Sequence, residues 1–201
     1  MNKRIPLMGI IFASLYFVSV GLFLVTQTEI ALTLWETITI ISAPVLLIIL
    51  IDLSSQIEIA SAYRNAMLVF MSCTCTLTGL AHTVNMTVTR KLIAEGIAVP
   101  DYFRIGFWPS VEMAVDYLAW GFFMGLAFLS VGLAIRSGEK SKRLMKGLVI
   151  ICGVLCLTGF LGAVLVHENL WYLAPVGYGF GTIVICIQML RGRENGKYTN
   201  D

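Results

Sequence analysis

Charge is what this chain of 201 residues has least of. Asp, Glu, Lys and Arg together make up 13% of it, about half the roughly 25% of a soluble domain. The charges also cluster in short segments and leave long uncharged runs between them. No water-facing surface can be built around such runs, which excludes a soluble globular fold. Nucleic-acid binding is excluded too, because the 14 basic residues are few, serve the ends of apolar runs and leave a net charge of only +2. Histidine is scarcer still, with His82 and His167 only. No H-E-x-x-H or similar close pair exists, so no metalloprotease signature is present. None of the apolar runs contains a lysine, which excludes a retinal-type Schiff base within them. Cysteine is limited to Cys73, Cys75, Cys152, Cys156 and Cys186, all inside apolar runs, unlike a secreted disulfide framework. Cys152 and Cys156 share a helical face at i, i+4, a spacing that suits metal or redox chemistry, but they read as small apolar packing residues.

What is abundant is apolar sequence: 58% of residues, with a mean hydropathy of +0.85. A crossing of the hydrocarbon core takes about 20 apolar residues in helix. Six segments qualify, at 5–25, 30–51, 66–89, 110–135, 147–166 and 170–190. The expectation is an all-α polytopic membrane protein: one six-helix bundle over residues 1–190, embedded in the lipid bilayer, followed by a polar tail over 191–201. Lys and Arg orient it. With the N-terminus inside, the inner side holds Lys3, Arg4, Arg64, Arg136, Lys140, Lys142, Arg143, Lys146, Arg191, Arg193 and Lys197, eleven residues. The outer side holds Arg90, Lys91 and Arg104, three. Both termini are therefore expected in the cytoplasm, and the protein in the inner (plasma) membrane. The first segment is too long for a signal-peptide core and lacks a small-x-small cleavage site, so it should persist as a span. Gly121 with Gly125, and Gly177 with Gly181, give small-xxx-small spacings. These allow close helix approach within the bundle or between protomers of a homo-oligomer.

The third span carries a polar stripe. Cys75, Thr78, His82, Asn85 and Thr89 recur at intervals of three, four, three and four, one face of an α-helix. Lipid cannot satisfy their donors and acceptors, so this face must look into the bundle or onto water. His82 lies about seven residues below the expected outer end of its span, roughly 10 Å at 1.5 Å per residue. Asp116 enters the fourth span to similar depth, and Glu112 sits one turn above it on the same face. Trp108 and Trp120 extend that face in both directions. The simplest geometry sets His82 and Asn85 opposite Asp116 and Glu112. His167 and Glu168 end the fifth span on this side, and Trp35 and Glu36 lie near the start of the second. The outer loop 90–109, RKLIAEGIAVPDYFRIGFWP, is too apolar for a free aqueous linker. It should fold over the bundle mouth as a lid, or lie in the interface as an aromatic anchor.

Three kinds of function fit these residues. The first is a pocket binding or transporting a small or lipid-like ligand, formed by Thr78, His82, Asn85, Glu112, Asp116, Trp108 and Trp120, with the acids favouring a cation or carrying protons. The second is an intramembrane hydrolase. In its metal-dependent form His82, His167 and Asp116 would bind zinc, and Glu112 would act as general base. Without metal, His82 and Asp116 would be the acid–base pair, and Thr78 or Cys75 the nucleophile. The third is structural or partner-binding, the same side chains satisfying one another and tying helices together. Haem held by His82 and His167 is disfavoured by their unequal depths. A His82–Asp116 separation under about 4 Å, with no cavity between them, marks a structural tie. A wet gap marks a site.

The fourth span, FWPSVEMAVDYLAWGFFMGLAFL, has an aromatic pair, then an acid, then an F-x-G-L-A-x-L stretch. In this it resembles small six-span bacterial membrane proteins of unknown function. The third span, with Asn85 and Arg90, is loosely similar to theirs, and together these parts cover about a third of the chain. The resemblance implies the six-span topology and a bacterial inner membrane, and picks out Arg90, Trp108, Glu112, Trp120 and Gly125. His82 and Asp116 lie outside its pattern, and it implies no mechanism.

Overall fold

The computed structural model describes residues 3–57, 59–105, 107–136, 140–165 and 168–194. Among them every regular element is helical and no strand occurs. Six helices are long and apolar enough to cross a membrane: α1 (Arg4–Thr26), α2 (Glu29–Gln56), α3 (Ser61–Ala94), α4 (Val111–Ala134), α5 (Lys140–Val164) and α6 (Leu173–Gly192). Each packs on its neighbours in sequence, and α6 returns to α1, so the six close into a ring.

The polarity of the ring is inverted relative to a bundle in water. Val25 and Ile30 are 85% and 83% exposed, and Val18, Val69, Leu133 and Ile151 also point outward, whereas Glu36, Thr74, Thr78 and His82 are fully buried. An apolar solvent imposes this arrangement, because it accepts aliphatic side chains and leaves polar groups to find partners inside. Leu46, Ile49, Leu50, Met67, Met71, Met124, Phe128, Met145 and Met189 fill the centre.

Glycine sets how closely α4, α5 and α6 approach. A Cβ on Gly125 would stand 2.8 Å from Leu157 Cγ and 3.0 Å from the Gly153 carbonyl; one on Gly177 would stand 2.9 Å from the Cys152 carbonyl. Gly121 faces Phe160, and Gly181 faces Cys152. Both small-xxx-small pairs therefore serve close contacts within the chain.

Three connections share one end of the bundle, called here the loop end. Thr26–Thr28 turns tightly, with Gln27 left-handed at φ 51° and Thr28 capping α2 by accepting from the Ala31 N–H at 3.3 Å. Residues 95–105 and 107–110 belong to the long loop. Its Trp108 packs edge-on against Trp171, which precedes α6, at 5.0 Å between ring centroids. The six helices overlap the six expected segments, but α2 and α5 are longer than 30–51 and 147–166, and α3 is longer than 66–89. At 34 residues it measures about 51 Å, against a hydrocarbon core of roughly 30 Å. Residues 90–94, expected in the loop, continue the helix until Gly96. There the N–H of Gly96 bonds the Ile93 carbonyl, the N–H of Ile97 bonds that of Leu92, and φ is +76°. Only glycine adopts this left-handed stop without strain.

Candidate polar site at the loop end

The centre of the site is Glu36 on α2. Its Oε1 accepts from Asn85 Nδ2 at 2.6 Å and lies 3.7 Å from His82 Nδ1; its Oε2 pairs with Arg90 NH2 at 2.7 Å. Arg90 also donates through NH1 to Thr33 at 2.8 Å and to Glu29 at 3.3 Å. On the far side of His82, Nε2 stands 3.5 Å from Asp116 Oδ1. Thr89 donates to Glu112 at 2.8 Å. A buried carboxylate is tolerable when charge and donors meet it, and Glu36 has both.

A wide turn in α3 makes this possible. Over Asn85–Thr89 the backbone closes with i→i+5 bonds, the N–H of Arg90 reaching the carbonyl of Asn85. In a regular α-helix five residues advance 500°, leaving Arg90 about 140° away from Asn85. The wide turn brings both onto Glu36. Two more such turns, Leu118–Phe123 and Val176–Phe180, lie in α4 and α6. They carry Trp120 and Tyr178, whose rings pack 4.4 Å apart. Tyr178 shares a hydrogen bond with Tyr16 at 2.6 Å. Wide turns of this kind concentrate at functional sites.

The expected residues fare differently. His82 and Asp116 come together, with Thr78 buried nearby on the same face of α3. Asn85 bonds Glu36 of α2, a partner outside the expected pairing with Asp116 and Glu112. Glu112 is held by Thr89. Cys75 is only half-buried; Thr74 takes the inward position and donates to carbonyls of its own helix and of Ala119 on α4. Trp120 is buried against Tyr178, whereas Trp108 belongs to a separate aromatic cap with Trp171 and Tyr117. His167 lies outside the described residues. Among the described residues no three His, Cys, Asp or Glu side chains stand close enough to hold a metal ion. The pattern of the third and fourth spans did not reveal Glu36, Arg90, Glu29 or Thr33 as partners. The available signals were a carboxylate inside the second span and the place of Arg90 in the resemblance.

Beside this network is a cavity of about 210 Å³ bounded by Glu29, Leu32, Asn85, Thr89, Arg90, Ile93, Arg104 and Ile105. Of the expected ligand contacts only Asn85 is on its wall; His82 and Asp116 stand behind it. The loop does two jobs. Arg104 and the buried Ile105 close the cavity, while Tyr102, Phe103 and Phe107 project outward, 54%, 46% and 41% exposed. Arg104 is fixed from both sides, paired with Asp101 at 3.1 Å and seated 4.5 Å over the Phe107 ring.

Comparison of the chain with protein-family models, with curated proteins and with solved structures finds no match.

Proposed function

We propose that this is an integral membrane protein of the bacterial inner (plasma) membrane, with both termini in the cytoplasm, and that its loop-end cavity binds or transports a small or lipid-like ligand. The observation that carries the reading is the cavity wall. About 210 Å³ suits a compact polar molecule or a lipid headgroup. Arg90, Arg104, Asn85, Thr89 and Glu29 supply donors and acceptors, and Leu32, Ile93 and Ile105 supply an apolar side. The likeness to small bacterial six-span proteins supports the choice of membrane, and the eleven-to-three distribution of basic residues supports the orientation.

Hydrolysis has weaker support. A histidine that activates a nucleophile turns one nitrogen to the hydroxyl or thiol and the other to an orienting group. Both nitrogens of His82 face carboxylates instead. The structural reading has one observation in its favour: His82 and Asp116 are 3.5 Å apart, the separation of a tie between helices. The cavity one turn away is what a purely structural network does not require.

Mass analysis of small molecules and lipids released from the purified protein tests the proposal. The native chain should retain a defined species, and Ile93→Trp, which fills the cavity, should lose it with little change in thermal stability. Retention of the same species by Ile93→Trp, or release of nothing beyond bulk lipid by the native chain, counts against a binding pocket.

A further inference from the structure

The polar cluster behind the cavity has an unbalanced charge. Glu36 is fully buried, Glu112 is 6% exposed and the Asp116 side chain 20% exposed. Arg90 is the permanent cation bonded to this group, and it shares its charge with Glu29 at the cavity rim. Three ionised carboxylates against one guanidinium would leave two uncompensated negative charges inside the bundle, which costs several kcal/mol per ion. Two protons remove the excess, one on the imidazole and one on a carboxyl.

Hydrogen bonding points the same way. Thr78 Oγ1, Glu112 Oε2 and the indole N–H of Trp120 are buried without a hydrogen-bond partner, and the nitrogens of His82 stand 3.7 and 3.5 Å from Glu36 and Asp116, long for hydrogen bonds. Donors and acceptors are thus both left over in one zone. Protons and water satisfy such a mixture.

We infer that Glu36, His82, Asp116 and Glu112 form a proton-binding site, loaded from the loop-end cavity and closed toward the other end of the bundle. Asn85 and Arg90 stand on the cavity wall and bond Glu36 directly. A proton carried by water that enters between Asn85 and Arg90 can reach Glu36, pass to Nδ1 of His82 and leave from Nε2 to Asp116. Each transfer breaks one N–H or O–H bond as it forms the next and leaves water behind. The groups facing His82 from α2 and α4 are Glu36, Asp116 and Glu112, with Tyr117 beside Asp116; Tyr16 of α1 and Tyr178 of α6 lie within electrostatic reach of Asp116. Beside the tyrosines lies a small, mostly apolar pocket lined by Tyr16, Ser42, Leu46, Ile49, Trp120 and Tyr178, and Leu50, Met67 and Met124 are buried and apolar in the centre. Such walls offer few groups that can pass a proton, so exchange is expected through the loop-end cavity.

The inference requires only that water enter the cavity, whatever organic ligand the cavity takes. Nitrogen NMR on ¹⁵N-histidine-labelled protein in lipid nanodiscs tests it, in a His167→Gln background so that His82 is the sole histidine. The His82 ring nitrogens should respond to pH between about 4 and 10, and Asp116→Asn and Glu36→Gln should each move the midpoint by about one pH unit or more. Asp101→Asn, in the exposed loop, should not move it. A ring signal constant across that range, or one midpoint common to all variants, overturns the site. Asp116, partly exposed, carries the test if Glu36→Gln does not fold. In vesicles loaded with a pH-sensitive dye the protein should add no steady proton leak, and a sustained conductance overturns the closed end. A failed titration alongside loss of the retained species in Ile93→Trp would leave the ligand pocket standing by itself.

Discussion

At the scale of single residues, Glu36 holds the loop end together, since three side chains of α3 converge on its two oxygens. Removing one partner of a buried ion pair leaves the other uncompensated, at about 3–5 kcal/mol. Glu36→Ala should therefore lower stability by about 3 kcal/mol, read from unfolding in detergent. It should also free Arg90 to react with an arginine-selective reagent such as phenylglyoxal. Thr89→Val is a milder change. It keeps the volume but removes the donor to Glu112, and should cost about 1 kcal/mol, the usual net worth of one hydrogen bond. If both variants cost the same, Glu36 is not the centre of the network.

At the scale of elements, the helices were legible and their registers were not. The lengths and compositions of the six apolar runs specify α1 to α6, because a membrane leaves a continuous polypeptide few other ways to satisfy its backbone. The stripe through Thr78, His82 and Asn85 pointed correctly into the bundle. Its Cys75 member did not, because the inward row continues through Thr74. Arg90 is expected in the loop because the uncharged apolar run ends at Thr89, and no composition signal announces an i→i+5 turn. Glu36 was missed as a partner because the pairing of α2 with α3 is tertiary information. The wide turn itself can be tested. Deleting Val88, exposed within Asn85–Thr89, should convert the turn to regular helix in which Arg90 follows Asn85 by four residues, about 40° away at 100° per residue. Arg90 therefore stays beside Glu36, and stability should fall by less than in Glu36→Ala. A loss as large as that of Glu36→Ala would mean that the extra residue itself aligns Arg90 with Glu36. Glycine acts at this scale as well. Gly177→Ala sets a methyl against the Cys152 carbonyl, so α5 and α6 must separate, at about 1–3 kcal/mol.

At the scale of the whole molecule, the ring has two unlike ends. One carries the cavity, the aromatic loop and the buried acids. The other is reached through an apolar centre and carries the cluster of Arg136, Lys140, Lys142, Arg143 and Lys146. Basic residues are retained on the cytoplasmic side during insertion, so the cavity should open away from the cytoplasm. Three single cysteines separate the alternatives, each introduced into a chain whose own five cysteines are replaced by alanine or serine. Arg104→Cys lies on the cavity wall and should react in intact cells with a membrane-impermeant maleimide. Lys142→Cys should react only after the cells are permeabilised. Val18→Cys, 65% exposed on the outer surface of α1, faces lipid and should resist the reagent in both conditions, because a thiolate does not form in hydrocarbon. The reverse order for Arg104 and Lys142 would put the cavity in the cytoplasm and give the proton site an intracellular source. Rapid labelling of Val18→Cys would mean that α1 is covered by water, in conflict with the inverted polarity from which the membrane assignment follows.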